Sequence, residues 1–201
     1  MSLAAGLSIG LQVRSDVCMD CIRQPPPLDA TLAALDYAYP WSELISAYKF
    51  GEQPGWAAFF ATQLLNAPGV RHVLGTLNAS DLILAVPLSK ERLQTRGFNQ
   101  AWELAQALAS QSASVASLDS SLLLRVKNTR PQTELKRDAR LANVKGAFQI
   151  DPLRAANVKG KRIVLVDDVM TSGASLFTAA AALRAAGAAY ITGIVLARTP
   201  L

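Results

Sequence analysis

The chain is poor in the residues that most metal and nucleophile chemistries need. It has one histidine, His72, and two cysteines, Cys18 and Cys21, in 201 residues. A lone histidine makes His-rich metal catalysis and most Ser-His-Asp schemes poor candidates. Two thiols build neither a disulfide framework nor a four-thiolate zinc site within one chain. Long apolar runs are also missing. The most hydrophobic stretch, residues 173–190, is broken by Ser175, Thr178 and Arg184, short of the roughly 18–20 uninterrupted residues of a membrane span. The lead MSLAAGLSIGLQVRSD carries no charge before Arg14 and so lacks the basic start of a secretory signal. A cytoplasmic protein without membrane insertion is the expectation. Neither G-x-x-x-x-G-K-[ST] nor G-x-G-x-x-G occurs, which excludes two familiar nucleotide phosphate loops.

What is present is enough to fill a core. Hydrophobic residues make up 51% of the chain and charged ones 17%, which excludes general disorder. The net charge of +5 suits an anionic ligand without marking a nucleic-acid binder. The run Pro25-Pro26-Pro27 forbids helix and favours an extended spacer. We therefore place a boundary near residue 30, with an irregular segment over 1–30 and one folded domain over 31–201. Beyond the boundary, strand and helix signals alternate. Strands are predicted at 35–39, 81–86, 122–126, 163–166 and 190–196. Helices are predicted at Trp41–Phe50 (Pro40 as first helical residue, Gly51 closing it), at 55–65 with apolar positions 56, 59, 60 and 64 on one face, at 99–109, and at 174–186. This pattern predicts an α/β fold whose central, mainly parallel sheet is flanked by helices. Ligands of such sheets sit beyond the carboxyl ends of the strands.

One run meets that condition: KRIVLVDDVMTSGASL, from Lys161 to Leu176. Aliphatics Ile163 to Val166 lead straight into Asp167 and Asp168, and a turn with Thr171, Ser172, Gly173 and Ser175 opens the next helix. Free N–H groups at a helix start, together with hydroxyls, make an anion site. Two carboxylates repel phosphate, so they face sugar hydroxyls or a divalent cation instead. Phosphate at one end and a diol at the other describe a ribose 5-phosphate. Strand-ending acids and a hydroxyl helix cap are the bland alternative, and the spacing of the whole run argues against it.

The run resembles the ribose-phosphate signature of type I phosphoribosyltransferases. A second block, Val86-Pro87-Leu88-Ser89 followed by Arg96-Gly97-Phe98-Asn99-Gln100-Ala101, is similar to that of the competence protein F (ComF, GntX-like) family. Tyr48-Lys49-Phe50-Gly51, Arg130 with Gln132, Arg140 with Asn143, and Gly146-Ala147-Phe148 add to the likeness, which runs from about residue 35 to 198. The resemblance implies the type I phosphoribosyltransferase fold and a ligand, phosphoribosyl pyrophosphate, accompanied by Mg²⁺. It implies Asp167 and Asp168 as the catalytic acidic pair on the ribose hydroxyls. Thr171, Ser172, Gly173, Ala174 and Ser175 become the loop around the 5-phosphate, with Ser in place of the commoner Thr at 172 and 175. Ser89, Lys90, Arg92 and Arg96, which follow a strand end, become the pyrophosphate contacts.

The polar stretch 127–145 holds Lys127, Arg130, Lys136, Arg137, Arg140 and Lys145 against Glu134 and Asp138. An active-site cover carried by Arg130, Gln132 and Arg140, a nucleic-acid stripe, and a plain solvated surface all stay open, with the cover placed first. Cys18-x-x-Cys21 resembles half of the zinc ribbon of ComF-like chains. A degenerate or truncated knuckle is expected, holding zinc only if a second chain lends ligands. Two functions follow from the resemblance. One is transfer of a phosphoribosyl group to an unidentified nucleophile in a DNA-uptake or competence setting. The other is a non-catalytic sensor or single-stranded-DNA-binding protein working with competence proteins. For the latter, Trp41, Trp56 and Trp102 are the candidate stacking residues, although the helical spacing of Trp56 favours burial.

Overall fold

The computed structural model of the chain describes residues 19–23, 25–51, 54–127 and 146–200. The first half contains α1 (Met19–Arg23), β1 (Ala30–Asp36), α2 (Trp41–Phe50), α3 (Trp56–Asn66), α4 (Val70–Gly75), β2 (Leu82–Ala85), α5 (Lys90–Arg96) and α6 (Gln100–Ser112). The second half contains β3 (Ser117–Leu118), β4 (Leu123–Arg125), β5 (Phe148–Ile150), β6 (Arg162–Met170), α7 (Ala174–Ala185) and β7 (Tyr190–Arg198). Five strands form one parallel sheet in the order β1-β7-β6-β2-β3, and β4 and β5 pair antiparallel beside it. The expected α/β class with a parallel sheet flanked by helices is what the chain adopts. Among the described residues no helix is long and apolar enough to cross a membrane.

Because side chains alternate along a strand, each apolar run feeds two cores. Val164 and Val166 of β6 pack with helices α2, α3, α4 and α6 on one face. Ile163 and Leu165 pack with α7 and the small β4–β5 sheet on the other. β2 and β7 divide in the same way, with Ile83 and Ile194 on the first face and Leu84 and Val195 on the second. A strand covered on both sides has no polar face, which is why these runs read as continuous apolar stretches.

Several boundaries differ from the sequence expectation, each for a tertiary reason. The first strand is not 35–39 but Ala30–Asp36, held in register against β7 from Ala30↔Thr192 to Asp36↔Arg198. The domain's packing begins just before it, with Leu28 in the core and Asp29 accepting from the Ile191 N–H at 2.7 Å while pairing with Arg184. The segment 122–126 yields β4, which joins β5 and not the parallel sheet. β6 does not stop at Val166; pairing with β7 carries it through both acids to Met170. The basic stretch after β2 is a helix, α5, whose residues are too exposed to leave an apolar stripe in the sequence. In α3, Phe59 is 42% exposed and edges against Trp56 instead of joining the core face.

Candidate active site

β2 and β6 are neighbours, yet the helices after them go to opposite faces: α6 packs with the first core and α7 with the second. Such a divergence opens a crevice beyond the carboxyl ends of the two strands. A cavity of about 450 Å³ lies there, and its wall includes Lys49, Arg92, Arg96, Arg125, Asp167, Asp168, Thr171 and Ser175.

Strand alternation continues into the acidic pair. Asp168 follows the parity of Val164 and Val166 and so meets α2, where the Lys49 ammonium lies 3.2 Å from its Oδ2. Asp167 follows Ile163 and Leu165 and falls within the field of Arg125 from β4. The Asp168 N–H donates to Asp167 Oδ1 at 2.9 Å, and the Val169 N–H to Asp168 Oδ1 at 2.6 Å. Burial and then the neighbouring Asp168 carboxylate push the Asp167 carboxyl up to about 7, against the weaker pull of the Asp168 N–H hydrogen bond, Lys49 and Arg125. Between about pH 4 and pH 7 the folded protein therefore holds a proton that the unfolded chain releases, and stability falls as pH rises through that window. Asp167→Asn, which removes this charge, is expected to melt several degrees above wild type at pH 8. The gap should narrow as pH falls below about 7 and close towards about pH 4 in thermal melts.

After β6 the chain turns through Gly173, whose φ of +73° is the left-handed region that glycine enters freely. α7 begins at the next residue, so its first N–H groups surround the turn. Within the turn the Ser172 Oγ is buried and has no hydrogen-bond partner among the described residues. A buried hydroxyl without a partner is costly, and an acceptor oxygen delivered by a ligand removes that cost.

The opposite wall is basic. Ser89 caps α5, its Oγ accepting from the Arg92 N–H at 3.4 Å, and Gly97 ends the helix in the left-handed region. Arg92 and Arg96 line the cavity one turn apart, with the Arg96 guanidinium 5.0 Å from the centre of the Phe50 ring. Burial, then Arg96, lowers the Arg92 guanidinium below its usual value. Burial, then Arg92, lowers that of Arg125 to about 10. Mutually repelling guanidiniums at one cavity are stabilised when a polyanion enters between them.

The model of the phosphoribosyl transferase domain family matches residues 94–200, more than half of the chain. Over 182 residues the chain is 34% identical to the DNA utilization protein YhgH of Salmonella typhimurium, covering 90% of this chain and 78% of that protein. It is 34% identical to competence protein F of Haemophilus influenzae, covering 94% and 81%, and 29% identical to competence protein ComFC of Bacillus subtilis, covering 91% and 72%. The chain belongs to the competence protein F family, with a phosphoribosyltransferase domain.

Of the residues that the family resemblance singles out, the fold brings Asp167, Asp168, Thr171, Ser175, Arg92 and Arg96 to the lining of one cavity. Ser89 is buried as a helix cap, and Lys90 is exposed and outside the lining. Ser172, Gly173 and Ala174 are not in the lining; Ser172 and Gly173 belong to the turn and Ala174 opens α7. Arg130, Gln132 and Arg140, and with them the cover reading, lie outside the described residues, as does Cys18; Cys21 lies half-buried in α1. Trp41, Trp56 and Trp102 are partly buried against the helical core. Sequence reasoning assigned no role to Lys49 and Arg125. For Lys49 the signal was its place in the Tyr48–Gly51 block shared with the competence protein F family. For Arg125 it was a charge at the end of the apolar run 122–126.

Proposed function

We propose that this competence protein F relative binds phosphoribosyl pyrophosphate with Mg²⁺ in the cavity and transfers its phosphoribosyl group to a nucleophile. The observation that carries this reading is the polarity of the cavity: an acidic pair at one strand end, an anion-binding turn beside it, and a wall of arginines opposite. Asp167 and Asp168 accept hydrogen bonds from the two ribose hydroxyls. The turn 171–175 holds the 5-phosphate through backbone N–H groups and hydroxyls, a remote handle whose binding energy orients the sugar. Arg92, Arg96 and Arg125 face the diphosphate and stabilise the charge it gains on leaving. The nucleophile bonds to the anomeric carbon and loses its proton, as the carbon–oxygen bond to diphosphate breaks and its electron pair departs with pyrophosphate.

Among the described residues no group of three or more His, Cys, Asp or Glu side chains converges on one point. Asp168 is also already paired with Lys49. Asp167 and Asp168 are the residues that would hold Mg²⁺ here, and with no third carboxylate, histidine or thiol beside them among the described residues they would do so only together with a bound diphosphate. Bound there, Mg²⁺ supplies neutralisation of the leaving diphosphate.

The names of the relatives support DNA utilisation or competence as the setting, and in that setting we propose competence proteins or single-stranded DNA as partners. The test is pyrophosphate release from phosphoribosyl pyrophosphate and Mg²⁺ against a panel of nucleobases, amines and single-stranded DNA. Release with one nucleophile supports a transferase. Tight binding without release supports a sensor instead. Arg96→Ala is expected to weaken phosphoribosyl pyrophosphate at least about tenfold, the loss of one charge-assisted contact, and ribose 5-phosphate hardly at all. Equal losses in calorimetry would remove Arg96 from the diphosphate wall.

A further inference from the structure

Gln100, the first residue of α6, is fully buried although its side chain is an amide. Burying an amide is costly unless both of its ends are bonded, and here they are. Its Oε1 accepts from Arg96 Nη1 at 3.1 Å, and its Nε2 donates to the Lys49 carbonyl at 3.3 Å. That carbonyl lies in the last turn of α2, where helix carbonyls have no intrahelical partner. The backbone carbonyl of Gln100 accepts from the buried Tyr48 hydroxyl at 2.9 Å, tying the same turn a second time. The neighbouring Asn99 anchors the start of α6, with its Oδ1 accepting from the Ala101 N–H and its amide donating to the Val86 carbonyl at the end of β2. One buried amide thus joins the arginine that closes α5 to the lysine whose ammonium stands 3.2 Å from Asp168.

We propose that Gln100 is a positioning residue that fixes the distance between the two walls of the cavity, so that a ligand spanning both is bound as one piece. This rests on the reading above, in which Arg96 faces the diphosphate and Asp168 the sugar. A leucine fills nearly the same space with no polar group to satisfy, so packing alone does not call for the amide. What the amide adds is a fixed relation between α5 and α2. A ligand that touches only one wall carries that wall's side chains with it and gains little from the relation. A ligand that must meet both at once gains the preorganisation in full.

The test uses the full chain and three probes, each titrated with Mg²⁺: pyrophosphate, ribose 5-phosphate and phosphoribosyl pyrophosphate. In Gln100→Leu the two half-ligands are expected to bind within about threefold of wild type. Phosphoribosyl pyrophosphate is expected to weaken at least about tenfold. Gln100→Glu, which keeps the acceptor for Arg96 but loses the donor to Lys49, should shift the same way, and Gln100→Met replaces the leucine variant if that fails to fold. Equal loss of all three ligands, or undiminished binding of phosphoribosyl pyrophosphate, overturns the proposal. Side-chain ¹⁵N resonances of Arg96 and Lys49 in the ligand-free protein separate this from a failure of the ligand reading. If wild type binds none of the probes, the ligand assignment is wrong. The positioning role still requires both resonances to move in Gln100→Leu, and an unmoved Lys49 signal refutes it.

Discussion

Replacing Asp168 by asparagine is expected to weaken ribose 5-phosphate binding about 10- to 100-fold, because a hydrogen bond to a charged acceptor is worth about 1.5–3 kcal/mol. Inorganic phosphate, held by the turn alone, should bind as it does to wild type. The same substitution leaves the Lys49 ammonium without its carboxylate, and the two side chains are only 16% and 14% exposed. Stranding a fully buried charge costs about 3–5 kcal/mol, so this partly wetted pair should cost about 2–3 kcal/mol. For a chain of this size that is a fall in Tm of roughly 5–10 °C. Adding Lys49→Met should restore much of the stability and none of the sugar affinity. That separates the structural part of the effect from the binding part. A folded Asp168→Asn protein that binds ribose 5-phosphate like wild type removes the acidic pair from the site.

The second large effect is at Gly173. Sequence position alone suggests that a loop outside the sheet core tolerates a side chain, so that Gly173→Val abolishes phosphate binding and leaves the fold intact. The structure corrects the second half of that expectation. Gly173 is buried at φ +73°, and a Cβ there comes within 2.5 Å of the Phe177 ring. Left-handed backbone costs a side-chain-bearing residue about 1–2 kcal/mol, and forcing extra atoms into packed space adds about 1–3 kcal/mol. Gly173→Val is therefore expected to lose phosphate binding and about 3 kcal/mol of stability together, seen in calorimetry and in denaturant melts. Ser172→Ala is the cleaner probe of the same turn. Its hydroxyl has no partner to lose, so stability should hold or rise slightly. Phosphate and ribose 5-phosphate should each weaken about tenfold. Unchanged affinity in a folded Ser172→Ala protein makes the turn a helix cap and nothing more.

The parts of this fold legible in the sequence are those where one local signal dominates. Leu82–Ala85 and Ile163–Val166 are apolar on both faces, and no helix period competes with them. The acids that follow, and the small residues before α7, mark the strand end and the turn by chemistry that few other contexts share. β1 lies earlier than its local apolar run suggests because its bounds are set by pairing with β7, 162 residues later in register. α5 leaves no helix signal because it has no fully buried apolar residue, and it is held by a serine cap and a left-handed glycine. Lys49 and Arg125 escaped assignment for a related reason. Each reaches the cavity from an element far from the motif in sequence, and strand alternation decides which acid it meets. The collision between Gly173 and Phe177 is likewise a fact of packing, with no trace in the order of residues.

A cavity that reads both ends of a phosphoribosyl pyrophosphate should bind it as a single ligand. Calorimetric titration of the folded chain with that ligand and excess Mg²⁺ tests it most directly. Saturable one-to-one binding is expected, displaced competitively both by pyrophosphate and by ribose 5-phosphate, and weakened by chelating the metal. No heat of binding to a folded protein, or displacement by neither half of the ligand, contradicts it.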